Sequence, residues 1–136
     1  MTDCIFCKII DGTLPAKKIY EDEDYLAFLN IAPNTRGHSL VVPKKHTDLF
    51  VKLSEEEAAM LNKVVHKVAK QLASILGTED FNLGLNNGSI SGQSIPHVHW
   101  HIIPRYAQDG LVHWEKSPQA EESIDEVFLC LQDKIK

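Results

Sequence analysis

From Ser54 onward, apolar residues recur at Ala58, Leu61, Val65, Val68, Leu72 and Ile75, the period of one buried helix face. Glu57 stands three residues after Ser54, as a capping box requires, and Gly77 occupies the place of a C-terminal cap, so the spacing predicts a long helix between them. Elsewhere the runs are shorter. Phe6, Ile9 and Ile10 predict one or two helical turns from Cys4 to Gly12, with Pro15 ending any continuation. Ile19-Tyr20 and Tyr25-Leu26-Ala27-Phe28-Leu29 flank the charged turn Glu21-Asp22-Glu23-Asp24 and predict a hairpin. A loop over 32–37 precedes an apolar strand from His38 to Pro43. Two further strands, Phe81 to Leu85 and His97 to Ile103, are joined by the polar loop from Asn86 to Pro96. After Pro104 the chain is mainly polar, with Trp114, until Ile124, Val127, Phe128 and Leu131 predict a last short helix. The order is mixed rather than alternating and contains no repeat, which favours an antiparallel sheet with helices on one side, the α+β class.

The second histidine-bearing strand changes the picture. In His97-Val98-His99-Trp100-His101-Ile102-Ile103, alternation places three imidazoles on one face and Val98, Trp100 and Ile102 on the other. Same-face neighbours lie roughly 6.6 Å apart at ~3.3 Å per residue, so two rings can reach one small ligand. Imidazole titrates near neutrality, so such a row can supply a nucleophile, an acid and a donor to an anion. Two or three of these histidines could instead hold one metal ion. Just upstream, Asn86-Asn87-Gly88-Ser89-Ile90-Ser91-Gly92-Gln93-Ser94 is rich in residues that tolerate left-handed backbone and expose N–H groups suited to phosphate oxygens; a plain hairpin loop has a similar composition.

Composition narrows the class. The 136 residues are 43% hydrophobic and 24% charged, the make-up of one domain, taken as 1–136. Fourteen Lys plus Arg against nineteen Asp plus Glu give a net charge of -5, so no broad basic face exists for wrapping nucleic acid. No apolar run approaches the ~20 residues of a membrane span and no signal-peptide pattern opens the sequence, so a cytoplasmic location is expected. Three cysteines are too few for a disulfide framework. Cys4 and Cys7 have the spacing of half a zinc site, with two ligands still to be found. A redox pair would want a preceding strand, and buried thiols without a role are the remaining reading.

The histidine motif, His, apolar, His, apolar, His, apolar, apolar, resembles that of the histidine triad, or HIT, family. Asn86 with Gly92-Gln93-Ser94, the segment Gly37-His38-Ser39-Leu40-Val41-Val42-Pro43-Lys44-Lys45-His46 and the opening Cys4-Ile5-Phe6-Cys7-Lys8-Ile9 are similar to its nucleoside phosphoramidate and dinucleotide polyphosphate hydrolase branch. The resemblance implies a five-stranded antiparallel sheet with one long and one or two short helices, a homodimer, and a purine-nucleotide pocket on the sheet. It implies that His99 attacks the α-phosphorus to form a nucleotidyl-histidine, with the His97 carbonyl accepting from its other ring nitrogen. His101 and Ser94 would meet phosphate or leaving group, and Asn86 and the Gly92-Gln93 backbone would hold phosphate oxygens. Ile5, Phe6, Ile9, Phe28 and Ile31 would form the base pocket, and Asn30 stands where many relatives place an Asp against the ribose. Some members hold a structural zinc through the equivalents of Cys4, Cys7, His46 and His97, and no catalytic metal is expected. A nucleotide-binding regulatory dimer with vestigial hydrolysis is the alternative, and a metalloenzyme built on the three histidines a third reading.

Overall fold

A computed structural model describes residues 3–112 and 114–136. Helix α1 spans Ile5–Ile10, and strands β1 (Lys18–Glu21) and β2 (Tyr25–Leu29) form the expected hairpin. Its turn is built by Asp22, whose Oδ1 accepts from the backbone N–H groups of Asp24 at 2.9 Å and Tyr25 at 2.7 Å. Strand β3 is Ser39–Pro43, helix α2 is Glu55–Leu76, strands β4 and β5 are Phe81–Leu85 and Trp100–Pro104, and helix α3 is Ile124–Leu131. The five strands make one antiparallel sheet in the order β1-β2-β3-β5-β4.

Helix α2 begins and ends as its residues dictate. The Ser54 hydroxyl accepts from the Glu57 N–H at 3.0 Å, the Glu57 carboxylate accepts from the Ser54 N–H at 2.9 Å, and Gly77 closes the helix in left-handed conformation. Its buried face comprises Leu61, Val64, Val65, Val68 and Ala69; Ile75, expected on that face, is 79% exposed.

Contrary to the expectation of helices on one side, α1 and α2 cover opposite faces. Tyr25, Ala27, Val41, Val98 and Ile102 pack with α2, while the alternate residues Leu26, Phe28, Leu40 and Val42 pack with Cys4, Phe6 and Ile9 of the α1 region. A sequence period tells which residues share a face but not which face each helix takes. Helix α3 shows its apolar residues Ile124, Val127 and Phe128 to solvent. Among the described residues no helix is long and apolar enough to cross a membrane.

Candidate active site and metal centre

The histidine run enters the sheet later than its alternation suggests: β5 begins at Trp100, and His97 to His99 precede it outside the ladder. The Val98 N–H donates instead to the Thr47 carbonyl at 2.8 Å, tying this segment to the chain beyond β3. The expected facing is kept. The rings of His99 and His101 are 5.0 Å apart, and Phe6 of α1 stands edge-on to both His97 and His99, at 5.8 and 5.1 Å. Val98 and Ile102 turn to the α2 side.

The tautomer of His99 is fixed by its own chain. Its Nδ1 donates to the His97 carbonyl at 2.7 Å, and since a carbonyl only accepts, the proton of the neutral ring sits on Nδ1 and Nε2 is left bare. Burial holds the imidazole below its ordinary pKa, and the carbonyl contact opposes this only in part. His101 is pushed down to about 4, chiefly by burial and then by the neighbouring His99 and His38. The site therefore offers neutral imidazoles at pH 7.

The polar loop before the triad is braced by its own residues. The Gln93 side chain accepts from the Gly88 N–H at 2.7 Å and donates to the carbonyls of Asp48 at 2.7 Å and Ile95 at 3.1 Å. The N–H groups of Gly92 and Gln93, expected to hold phosphate oxygens, donate within the turn to the carbonyls of Ser89 and Gly88 at 3.1 and 3.3 Å. The loop closes on itself here because Gly92 sits at φ +100°. Among the described residues the Ser94 hydroxyl and the Asn86 amide have no hydrogen-bond partner and stay available to a ligand. Of the expected base-pocket residues, Phe6, Ile9 and Phe28 are buried in the core beneath α1, while Ile5 is 47% and Ile31 98% exposed. Asn30 reaches toward His38, its Nδ2 lying 3.5 Å from His38 Nε2.

His38 is the residue that sequence reasoning left without a role. It is buried, and its Nε2 lies 2.9 Å from His101 Nδ1. The signal lies in the strand register: Leu40 pairs with His101, so His38, two residues back on the same face, falls diagonally beside it.

His97 faces a different task. Its Nε2 donates to the Pro43 carbonyl at 2.8 Å, which leaves Nδ1 bare and pointed at the two cysteines and His46. Cys4 Sγ is 3.4 Å and Cys7 Sγ 3.6 Å from that nitrogen, His46 Nδ1 is 3.1 Å from it, and Cys7 Sγ is 3.3 Å from His46 Nδ1. A tetrahedral zinc with bonds of ~2.3 Å to sulfur and ~2.05 Å to nitrogen would need S–N edges of ~3.6 Å and an N–N edge of ~3.3 Å. These four separations match such edges within about 0.3 Å, and all four donor atoms lie within 4.8 Å of one another. Cys4, Cys7, His46 and His97 thus form a group able to bind a metal ion. Burial, and next to it Cys4, push the Cys7 thiol up to about 11, and burial pushes His97 down to about 4. His99 and His101 lie outside this group, so the three triad histidines do not converge on one ion.

Residues 11–108 match the HIT domain family. The chain is 42% identical over 135 residues to the adenosine 5'-monophosphoramidase of Schizosaccharomyces pombe, covering 98% of both chains. A crystal structure from Streptococcus mutans superposes with a TM-score of 0.88 at 35% identity, covering 100% of this chain and 87% of that one. A zinc-bound histidine triad family protein from Mycobacterium smegmatis superposes with a TM-score of 0.77 at 37% identity, covering 90% and 88%. With the triad, the sheet order and nearly the whole sequence in agreement, the chain belongs to the HIT domain family.

Proposed function

We propose that the protein hydrolyses purine nucleoside phosphoramidates or related nucleotidyl anhydrides at the α-phosphorus, releasing the nucleoside monophosphate. The observation that carries this reading is the fixed tautomer of His99. A neutral imidazole with its Nδ1 proton committed to the His97 carbonyl presents a bare Nε2 lone pair without waiting for a proton to leave. That nitrogen forms the bond to phosphorus as the bond to the leaving amine or phosphate breaks, and Ser94 or His101 supplies the proton or hydrogen bond that the departing group needs. Water then cleaves the nucleotidyl-histidine. Asn86 contacts phosphate oxygens, Asn30 meets the ribose, and Ile5 and Ile31 supply apolar surface to the base. The similarity to a monophosphoramidase over almost the full length supports the same substrate class.

In this reading the ion at Cys4, Cys7, His46 and His97 is zinc, and its role is structural. It would fasten the start of α1 to the chain after β3 and to the entrance of β5, thereby seating His99. The exposed Ile124, Val127 and Phe128 of α3 support the expected homodimer, because such a face is normally covered.

The test is release of monophosphate from a panel of adenosine and guanosine phosphoramidates, dinucleoside polyphosphates and nucleotidyl sugars. His99→Ala should lose several powers of ten in kcat while keeping the fold and nucleotide binding, since the side chain forms a bond and not a binding contact. A variant retaining a tenth of the wild-type rate would exclude His99 as nucleophile.

A further inference from the structure

We propose that Cys4 and Cys7 form a redox switch: a peroxide converts them to an intramolecular disulfide, which takes both sulfurs out of the metal site and loosens the support of His99. The pair is built to close on itself. Cys4 is the N-cap of α1 and Cys7 is the third residue of that helix. The Cys4 Sγ accepts from the Cys7 N–H at 3.3 Å, so the cap lays one sulfur against the residue that carries the other. The two sulfurs lie within 4.8 Å of each other. Closing that gap to the ~2.05 Å of a disulfide asks for side-chain rotation within one turn, with no shift of the sheet. Phe6 and Ile9, packed in the core with Phe28, hold the turn in place meanwhile.

The two cysteines differ in access. Cys4 is buried and Cys7 only partly so, and Cys7 therefore meets the oxidant first. Zinc ligands are deprotonated, so the loaded site presents thiolates, the form that reacts. The Cys7 sulfur attacks one peroxide oxygen, the O–O bond breaks, and water leaves with Cys7 as a sulfenic acid. The Cys4 sulfur then attacks the Cys7 sulfur, the S–O bond breaks, and a second water leaves. Counted from two thiols, two electrons and two protons pass to the peroxide. Counted from the thiolates of a loaded site, the two protons come from solvent and Zn²⁺ goes free.

Only His46 Nδ1 and His97 Nδ1, 3.1 Å apart, are then left in the group, and a structural zinc takes four ligands. The change reaches the triad through residues that serve both sites. His97 gives its ring to the metal group and its carbonyl to His99 Nδ1 at 2.7 Å. Phe6, between the two cysteines in sequence, stands edge-on to the His99 ring at 5.1 Å. Strand β1 follows the pair, whereas a thiol–disulfide exchange enzyme wants a strand before it, so the pair acts on its own site and not on other proteins. The effect on metal and turnover rests on the proposed zinc and hydrolase readings; the disulfide itself does not.

The test uses Cys130→Ser protein, in which only the two site cysteines remain to respond. With excess hydrogen peroxide it should lose the mass of two hydrogens, show a Cys4–Cys7 cross-link in its peptide map and release zinc in step. Its kcat on adenosine phosphoramidate should fall on the order of tenfold, as for other groups that orient a site residue. A dithiol reductant with added zinc should restore all of these. With Cys4→Ser added, Cys7 should stop at the sulfenic acid, which dimedone traps. Site cysteines that stay reduced, that gain oxygen in place of the cross-link, or that cross-link without any change in kcat overturn the proposal, whether or not the Cys4→Ser protein folds. A cross-link in protein that never held zinc upholds the pair and sinks the zinc reading. A cross-link with zinc release in protein that turns over no phosphoramidate upholds the switch and sinks the hydrolase reading instead.

Discussion

His46→Ala removes one corner of the proposed zinc tetrahedron, and its cost can be worked from the site. The imidazole meets the rest of the protein through this cluster, 3.1 Å from His97 Nδ1 and 3.3 Å from Cys7 Sγ. Losing one of four ligands should weaken the ion on the order of a hundredfold to a thousandfold, which for a native state saturated with metal is ~2.7 to ~4.1 kcal/mol. A chain of 136 residues loses roughly 3 to 4 °C of melting temperature per kcal/mol, so the zinc-loaded variant should melt about 8 to 16 °C below wild type. Without zinc the same substitution deletes only a partly buried side chain with one hydrogen bond, worth ~1 kcal/mol or about 3 °C. Calorimetry on both proteins, as purified and after prolonged treatment with a strong chelator, separates the two cases. Stripping should lower both proteins and shrink the gap between them to about 3 °C. Equal losses from the mutation in loaded and stripped protein, or elemental analysis showing no zinc in wild type purified without chelator, would refute the reasoning.

Initial rates on adenosine phosphoramidate should be unchanged by a mild chelator, because imidazoles, hydroxyls and amides surround the triad and no step of the proposed mechanism passes through a metal; prompt loss restored by magnesium or manganese would move catalysis to a metal site. Acid should destabilise the fold through His38 and His101, whose folded pKa values lie below the unfolded value of about 6.5, so the unfolded chain binds more protons as pH falls. Their contribution is complete above pH 6.5 and is lost progressively toward about 4; a urea midpoint of metal-stripped protein that stays flat from pH 7.5 to 4.5 would contradict this. Gly37→Ala should cost about 2 kcal/mol, roughly 6 to 8 °C, since Gly37 sits at φ +92° and an added Cβ would collide with Leu76; an unchanged melting temperature would show that the turn relaxes freely.

Much of the architecture is local, and the sequence by itself determined it. Alternation alone put His97, His99 and His101 opposite Val98, Trp100 and Ile102, because strand periodicity needs no partner strand to be read. The hairpin around Asp22 and the capped helix from Ser54 to Gly77 were equally legible, since each is set by groups within a few residues of one another. Spacing also revealed the pair Cys4 and Cys7, and the family resemblance named His46 and His97, but only the fold gathered the four. Cys4 and His97 stand 93 residues apart, and the antiparallel register of β2, β3 and β5, with α1 laid over it, decides that their donors come within 3.4 Å. The same register seats His38 beside His101, a contact that the sequence of the segment from Gly37 to His46 does not by itself reveal. Which face each helix covers was likewise undetermined by its period, and packing sent α1 to the histidine side and α2 to the other. The N–H groups of Gly92 and Gln93 were lost to internal turns for the same reason. Composition marks a loop as able to expose donors, and only its closed tertiary form decides which of them are left.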